Sequence, residues 1–269
     1  MKHLGGFPGA VKRAVKRGLY AVGLMAPISR ARIRYRDRVV RRDTVRLYRL
    51  FIRPGDLCFD VGADVGDLSD IMLSLGARVV AVEPQAESIS ALQSRFHGNR
   101  DFMLIPKGLA SKVGTAEFLV SDWSDCSSMS REFVDAVVQS GRLHLEECKW
   151  AEVRQVPTTT LDELIEEYGM PAFLKIDVEG FEEEVVKGCS HRLRTLSFEF
   201  TPERLQPALA CVELLEKLGP VEFNYTYRWQ KRLRCPTWVS GSELKMRLTS
   251  TRSRSALAPT GDVYARFIA

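Results

Sequence analysis

The chain has 269 residues, of which 45% are hydrophobic, 27% charged and 9% aromatic. That composition supports a full hydrophobic core and excludes both a disordered polar chain and a miniature disulfide-held fold. The net charge of +5 is unevenly spread: residues 1–50 carry 14 Lys or Arg against only Asp37 and Asp43, a balance of +12, and the remainder stands at −7, so any anionic partner is expected at the N-terminal segment and not over the whole surface.

The first element in chain order is basic and amphipathic, with Lys12, Arg13, Lys16 and Arg17 beside Val11, Val15, Leu19 and Val22. The uncharged stretch from Gly18 to Ser29 is broken by Pro27 and falls short of the ~20 residues that span a bilayer. The expectation is peripheral contact of residues 1–35 with an anionic membrane surface, against the alternative of a solvated helix packed on the domain. The arginines from Arg30 to Arg38 are unlike the flank of a secretory signal. Six cysteines without a CxxC pair or zinc-ligand spacing point to a reducing, cytoplasmic setting.

Val40, Thr44, Leu47 and Phe51 share one helical face between Arg36 and Ile52, and Arg53-Pro54-Gly55 ends that helix. Residues 1–52 are therefore expected to form a basic helical extension, and 53–269 the main domain. Leu57–Val61 reads as a strand, followed by a loop with Gly62 and Gly66 and a helical stripe of Leu68, Ile71, Met72 and Leu75. Val79–Val82 is the next strand, ending at Glu83-Pro84, and Ile89, Leu92 and Phe96 mark the next helix. This strand and helix alternation favours a mostly parallel sheet with helices on both faces.

Further along, Phe102–Ile105 and Ala116–Val120 read as strands, Thr160–Tyr168 as a helix, and Ala172–Ile176 and Thr195–Phe200 as strands. Residues 121–150 carry no clear pattern. A helix from Pro202 to Leu218, a strand from Val221 to Tyr227, a polar basic insertion and a last strand at Val263–Ile268 predict an antiparallel closing hairpin.

In a doubly wound sheet, ligands bind beyond the carboxyl ends of the strands, and here those ends are acidic and glycine-rich. In Asp60-Val61-Gly62-Ala63-Asp64-Val65-Gly66, Gly62 permits a tight turn and Gly66 lets the next helix start close to a ligand. Asp64 stands where a nicotinamide-binding loop has its second glycine, and a carboxylate there repels a pyrophosphate. Asp60 and Asp64 suit a ligand with a positive charge and an ammonium group, which S-adenosylmethionine has. Glu83 is placed to accept hydrogen bonds from both ribose hydroxyls, and Pro84 turns the chain away. In Leu174-Lys175-Ile176-Asp177-Val178-Glu179-Gly180, alternation puts Lys175, Asp177 and Glu179 on one side; the plain alternative is an ion cluster in which Lys175 neutralises its neighbours.

These phrases, with Pro54-Gly55-Asp56 and Thr160-Leu161-Asp162-Glu163-Leu164, resemble the FkbM-type S-adenosylmethionine-dependent methyltransferases from about Arg53 to Phe200. The resemblance implies an α/β Rossmann-like class I methyltransferase fold with a mostly parallel seven-stranded sheet. It also implies transfer of a methyl to a hydroxyl of a sugar, glycolipid, polysaccharide or related natural product. On that likeness Asp60, Gly62, Ala63, Asp64 and Gly66 shape the methionine end of the cofactor site, Glu83 and Pro84 lie at the ribose, and Asp177, Glu179 and Lys175 stand beside the transferred methyl. Asp64 departs from the family, which more often has Asn there.

Asp177 or Glu179 is the expected proton acceptor. No metal is expected, a cation among Asp177, Glu179 and Glu199 being the lesser variant. His97 and His191 read as solvated, and His144 as a weak rival base. Tyr225, Tyr227, Arg228, Trp229, Lys231, Arg232, Arg234 and Trp238 interleave aromatic and basic side chains suited to an acceptor with sugar rings or phosphate. A nucleic-acid methyltransferase is the weaker alternative because the Asn/Asp-Pro-Pro-aromatic sequence is absent. A non-catalytic lipid- or glycan-binding module leaves the glycine loop and Glu83 without a task.

Overall fold

The computed structural model describes residues 39–122, 126–140, 149–228, 230–254 and 259–268. The proposed membrane-contacting segment, His144 and Trp229 lie outside them. Residues Thr44–Ala269 form one compact unit, and apart from the first residues of the opening helix the description below concerns it. Among the described residues no helix is long and apolar enough to cross a membrane.

Helix α1 covers residues 39–48. It is followed by β1 (Leu57–Val61), α2 (Asp67–Ser74), β2 (Arg78–Val82), α3 (Ala86–Arg95) and β3 (Phe102–Ile105). Then come β4 (Gly108–Leu109), β5 (Gly114–Val120), α4 (Arg131–Ser140), β6 (Glu152–Thr159), α5 (Leu161–Tyr168), β7 (Phe173–Ile176) and α6 (Glu182–Lys187). The last are β8 (Thr195–Phe200), α7 (Gln206–Leu218), β9 (Val221–Tyr227), α8 (Gly241–Arg254) and β10 (Gly261–Phe267).

Seven strands form one sheet in the order β3-β2-β1-β7-β8-β10-β9, parallel except for β10, which runs antiparallel to both neighbours. The expected α/β architecture and closing hairpin are therefore present. Strand alternation sends Phe59, Val61, Leu174, Ile176 and Phe198 into one core, and Cys58, Val79, Ala81 and Phe173 into another on the opposite face. On that second face Phe51 stacks between Phe173 and Tyr264, with centroids 5.6 and 5.4 Å away. Burying each such ring stabilises the fold by roughly 2–3 kcal/mol. Leu47, Tyr48, Phe51 and Ile52 thus belong to the core of this unit. The five described cysteines are buried.

The strand expected near Ala116–Val120 is present as β5 and pairs with β6 in a separate sheet of order β4-β6-β5. Other expectations are corrected. The patternless region holds α4, whose Phe133, Val134 and Val137 are buried at steps of one and three. The polar insertion contains α8, and α7 begins at Gln206, not Pro202, with Pro207 in its first turn.

Chain order runs outward from β1 through β2 to β3 on one side, and from β7 outward on the other. The switch point is therefore the β1/β7 boundary, where Val61 pairs with Ile176 and the crevice opens.

Candidate active site

Beyond Val61 the chain turns under β7. Gly62 has φ of 79°, and a Cβ there would run into the backbone carbonyl oxygen of Asp177, so the two strand ends meet backbone to backbone. The turn is pinned by Gly62 N and Ala63 N donating to the Val82 carbonyl at 2.9 and 3.2 Å. Asp64 sits at φ 45°. Its amide donates to Glu83 Oε2 at 2.9 Å, and its Oδ1 accepts from Ser88 Oγ at 3.0 Å. Gly66 has another reason to be glycine: a Cβ would strike the side chains of Phe96 and Leu92, so it serves the seating of α2 against α3 and does not line the cavity.

A cavity of about 290 Å³ opens at this switch point. Asp60, Gly62, Ala63, Asp64, Glu83 and Pro84 line one end, and Asp177, Glu179, Glu199, Arg228, Lys231 and Asp262 the other. Gly108, Leu109, Phe118, Ser127 and Met129 supply a wall from the second sheet and its loop. Sequence reasoning missed that wall because no local motif marks it. It also missed Asp262, whose only signal is an acid opening an apolar strand.

Asp60 is wholly buried. Its Oδ2 accepts from Ser69 Oγ at 2.6 Å, and its Oδ1 has no protein partner. Burial pushes the carboxyl up to about 6, against the pull of Ser69 and Lys175. Glu83 is pushed up to about 7, again by burial, although the amides of Gln85 and Asp64 oppose it. An orphan carboxylate oxygen and a second costly carboxylate in one crevice favour a ligand that brings positive charge and hydrogen-bond donors. S-adenosylmethionine fits both needs, with its ammonium and sulfonium for the acids and its ribose hydroxyls for Glu83.

A folded-state value of about 7 against 4.5 for the free group means that the folded protein holds this proton more tightly than the unfolded chain. The stability it confers is complete below pH 4.5 and is lost as pH rises through 7, a change of about 3 kcal/mol. Thermal melts without ligand should therefore fall between pH 5 and 7.5, and Glu83→Gln should make that fall shallower; an unchanged slope would remove Glu83 as a cause.

At the other end the structure brings Lys175 and Asp177 together but places Lys175 behind the lining, only 2% exposed. Its ammonium lies 2.8 Å from Asp262 Oδ1 and 3.3 Å from Asp177 Oδ2. Burial alone would lower its basicity, but Asp177 and Asp262 outweigh that and hold it well above the usual lysine range. Lys175 is thus a counter-ion within the floor, not a group presented to the acceptor.

The extended alternation stops at Ile176. Glu179 reaches the site through a left-handed residue with φ of 51°, a conformation costing roughly 1 kcal/mol or more and held here by its surroundings. Ser128 Oγ donates to the Glu179 carbonyl at 2.7 Å, and the amide of Gly180 donates to buried Glu182 Oε1 at 3.1 Å. Asp177, Glu179 and Glu199 bring carboxylate oxygens within 4.8 Å of one another, room for one cation or for a cluster of hydroxyl donors. Burial and the mutual repulsion of these three carboxylates push Glu179 and Glu199 well above the usual carboxylate range, with Arg228 opposing.

The aromatic and basic stretch does not form one face. Arg228 and Lys231 line the cavity, Arg234 stacks over Tyr227 with its guanidinium 5.0 Å from the ring centroid, and Trp238 packs at Phe51. His191 lies away from the cavity lining, with Nδ1 2.9 Å from Asp162.

The family model for the methyltransferase FkbM domain matches residues 60–228. The hexuronic acid methyltransferase AglP of Haloferax volcanii is 27% identical over 168 residues, covering 61% of this chain. The chain spans 63% of that relative's length. Among solved structures, a TehB-like SAM-dependent methyltransferase from Corynebacterium glutamicum superposes with a TM-score of 0.45 at 10% identity, covering 84% of this chain and 88% of that one. For precorrin-6y C5,15-methyltransferase from Geobacter metallireducens the score is 0.43 at 13% identity, with coverage of 84% and 87%. The family match opens on the buried carboxylate beneath the glycine turn and closes on the arginine at the far end of the cavity, and by it the chain belongs to the FkbM methyltransferase domain family.

Proposed function

We propose that the protein is an S-adenosylmethionine-dependent O-methyltransferase acting on a sugar, with a hydroxyl of a glycan or glycolipid as acceptor. The observation that carries this is the crevice at the β1/β7 switch point, lined by Glu83 and by Asp60, whose one oxygen is buried without a partner, at one end and by three carboxylates at the other. A sugar fits the second end because carboxylates accept from its hydroxyls while Arg228 and Lys231 donate. Support for a sugar also comes from the Haloferax relative, a hexuronic acid methyltransferase.

In this reading Asp60, Ala63 and Asp64 hold the amino-acid end of the cofactor, and Glu83 the ribose. The bound cofactor supplies a methyl group activated by the sulfonium. The chain's own work is to hold the acceptor oxygen in line with that carbon at near-contact distance, and to exclude water. As the oxygen–carbon bond forms and the carbon–sulfur bond breaks, the hydroxyl proton passes to Asp177 or Glu179, both of which line the cavity.

The test is incubation of purified protein with methyl-labelled S-adenosylmethionine and separated glycans, glycolipids and RNA, including an oligosaccharide ending in glucuronic acid. Label is expected in a sugar-bearing fraction and stable to mild base, as an ether. Label confined to RNA, or none in any fraction, would overturn the reading.

A further inference from the structure

A line of alternating charge runs from the insertion between β9 and β10 to the end of β7. Lys231 Nζ lies 2.6 Å from Asp262 Oδ2, Asp262 Oδ1 lies 2.8 Å from Lys175 Nζ, and Lys175 Nζ lies 3.3 Å from Asp177 Oδ2. Side-chain exposure falls from 16% at Lys231 to 6% at Asp262 and 2% at Lys175, then rises to 32% at Asp177, where the line meets the cavity. Thr226 Oγ1 donates to the same Asp262 oxygen as Lys231, and Lys175 also donates to the Ile176 carbonyl. Charges so fixed and so shielded from solvent act on one another and on a ligand with little screening.

We propose that this line, and Lys231 and Asp262 in particular, sets the charge that the methyl donor's sulfonium meets, so that the cavity separates the charged donor from its neutral by-product, S-adenosylhomocysteine. The inference rests on the reading of the cavity as a cofactor site. Around its far end Asp177, Glu179, Glu199 and Asp262 stand against Arg228, Lys231 and, behind the lining, Lys175. With every group ionised the sum is −1, so losing the Lys231 charge doubles it and losing the Asp262 charge brings it to zero. Lys231 is the adjustable member. It follows residue 228, where the family match ends, and lies on a polar insertion, so its replacement leaves the glycine turn and the carboxylate cluster in place. Preference for the charged form favours loading of the donor and departure of the spent cofactor.

Donor and by-product share adenosine and the amino-acid end, and they differ by the methyl group and the positive charge. The ratio of their affinities therefore cancels a general disturbance of the pocket and reports the local field. Calorimetric titration of wild type, Lys231→Met, Lys231→Arg and Asp262→Asn with each ligand measures it. Asp262→Asn should reduce the preference for S-adenosylmethionine about four- to fifteenfold, the effect of a unit charge about 10 Å away in a partly shielded site. Lys231→Met should raise it by a similar factor, and Lys231→Arg should stay within about twofold of wild type.

Ratios that do not move, or that move in the same direction in the methionine and asparagine variants, would overturn the proposal. If Asp262→Asn does not fold by circular dichroism, the two Lys231 variants decide it alone. Heat with neither ligand in the wild type would overturn the cofactor reading and this proposal together, whereas heat with both and unmoved ratios would overturn only the proposal.

Discussion

Gly62→Ala is expected to abolish cofactor binding and to destabilise the protein by about 2–4 kcal/mol, because two independent constraints fail at one atom. The first is local: φ of 79° is a left-handed conformation that a Cβ penalises by about 1–2 kcal/mol. The second is tertiary. The added carbon would overlap the Asp177 carbonyl oxygen, which is backbone and cannot rotate aside. Relief requires β1 and β7 to separate at the point where Asp177 N bonds the Val61 carbonyl at 2.8 Å, and with them the two halves of the crevice. Gly66→Ala meets the rings and methyls of Phe96 and Leu92 and should cost stability by overpacking while sparing more of the binding. Chemical denaturation with calorimetry on both variants checks the ordering; equal loss of affinity would mean that the turn acts only through folding.

The second large effect is on turnover. Asp177→Asn should lower kcat by about 10²–10⁴-fold on the labelled sugar acceptor, the usual worth of a positioned base, a larger loss than that in affinity for S-adenosylmethionine. The substitution keeps the shape of the side chain, and Lys175 retains Asp262 at 2.8 Å, so no buried charge is stranded. Glu179→Gln should cost less, since Glu199 stands beside it. A loss in Asp177→Asn that appears wholly in cofactor affinity would assign the proton to another group.

Much of this was legible in the sequence because it is written locally. The glycine turn, Glu83 and Asp177 each close a strand whose apolar run announces it, and the strand and helix alternation places those ends side by side. Gly66 was legible as a glycine but not in its purpose, since Phe96 comes to it through tertiary packing. Lys175 read as one of three side chains on a common edge. The plain alternative, Lys175 neutralising its neighbours, is what its contact with Asp177 shows, and the register of β7, β8 and β10 adds Asp262 from far along the chain. Period-two reasoning also failed at Glu179, whose left-handed backbone breaks the pattern that it was read from. The wall from β5 and the loop before α4 was invisible because a half-exposed strand and a serine-rich loop carry no signature of what they face.

The placement of β10 between β8 and β9 has a consequence for how the molecule is built. Lys175 and Asp262 are 87 positions apart, so the ammonium in the floor of the crevice gains its second carboxylate partner only when a long stretch of chain closes. Such a closure is entropically costly and comes late relative to the neighbouring β-α-β segments. A nascent chain that has released the glycine turn, Glu83 and Asp177 from the ribosome already displays every recognisable motif. In it Lys175 has Asp177 at hand, while Asp262 is still to be synthesised.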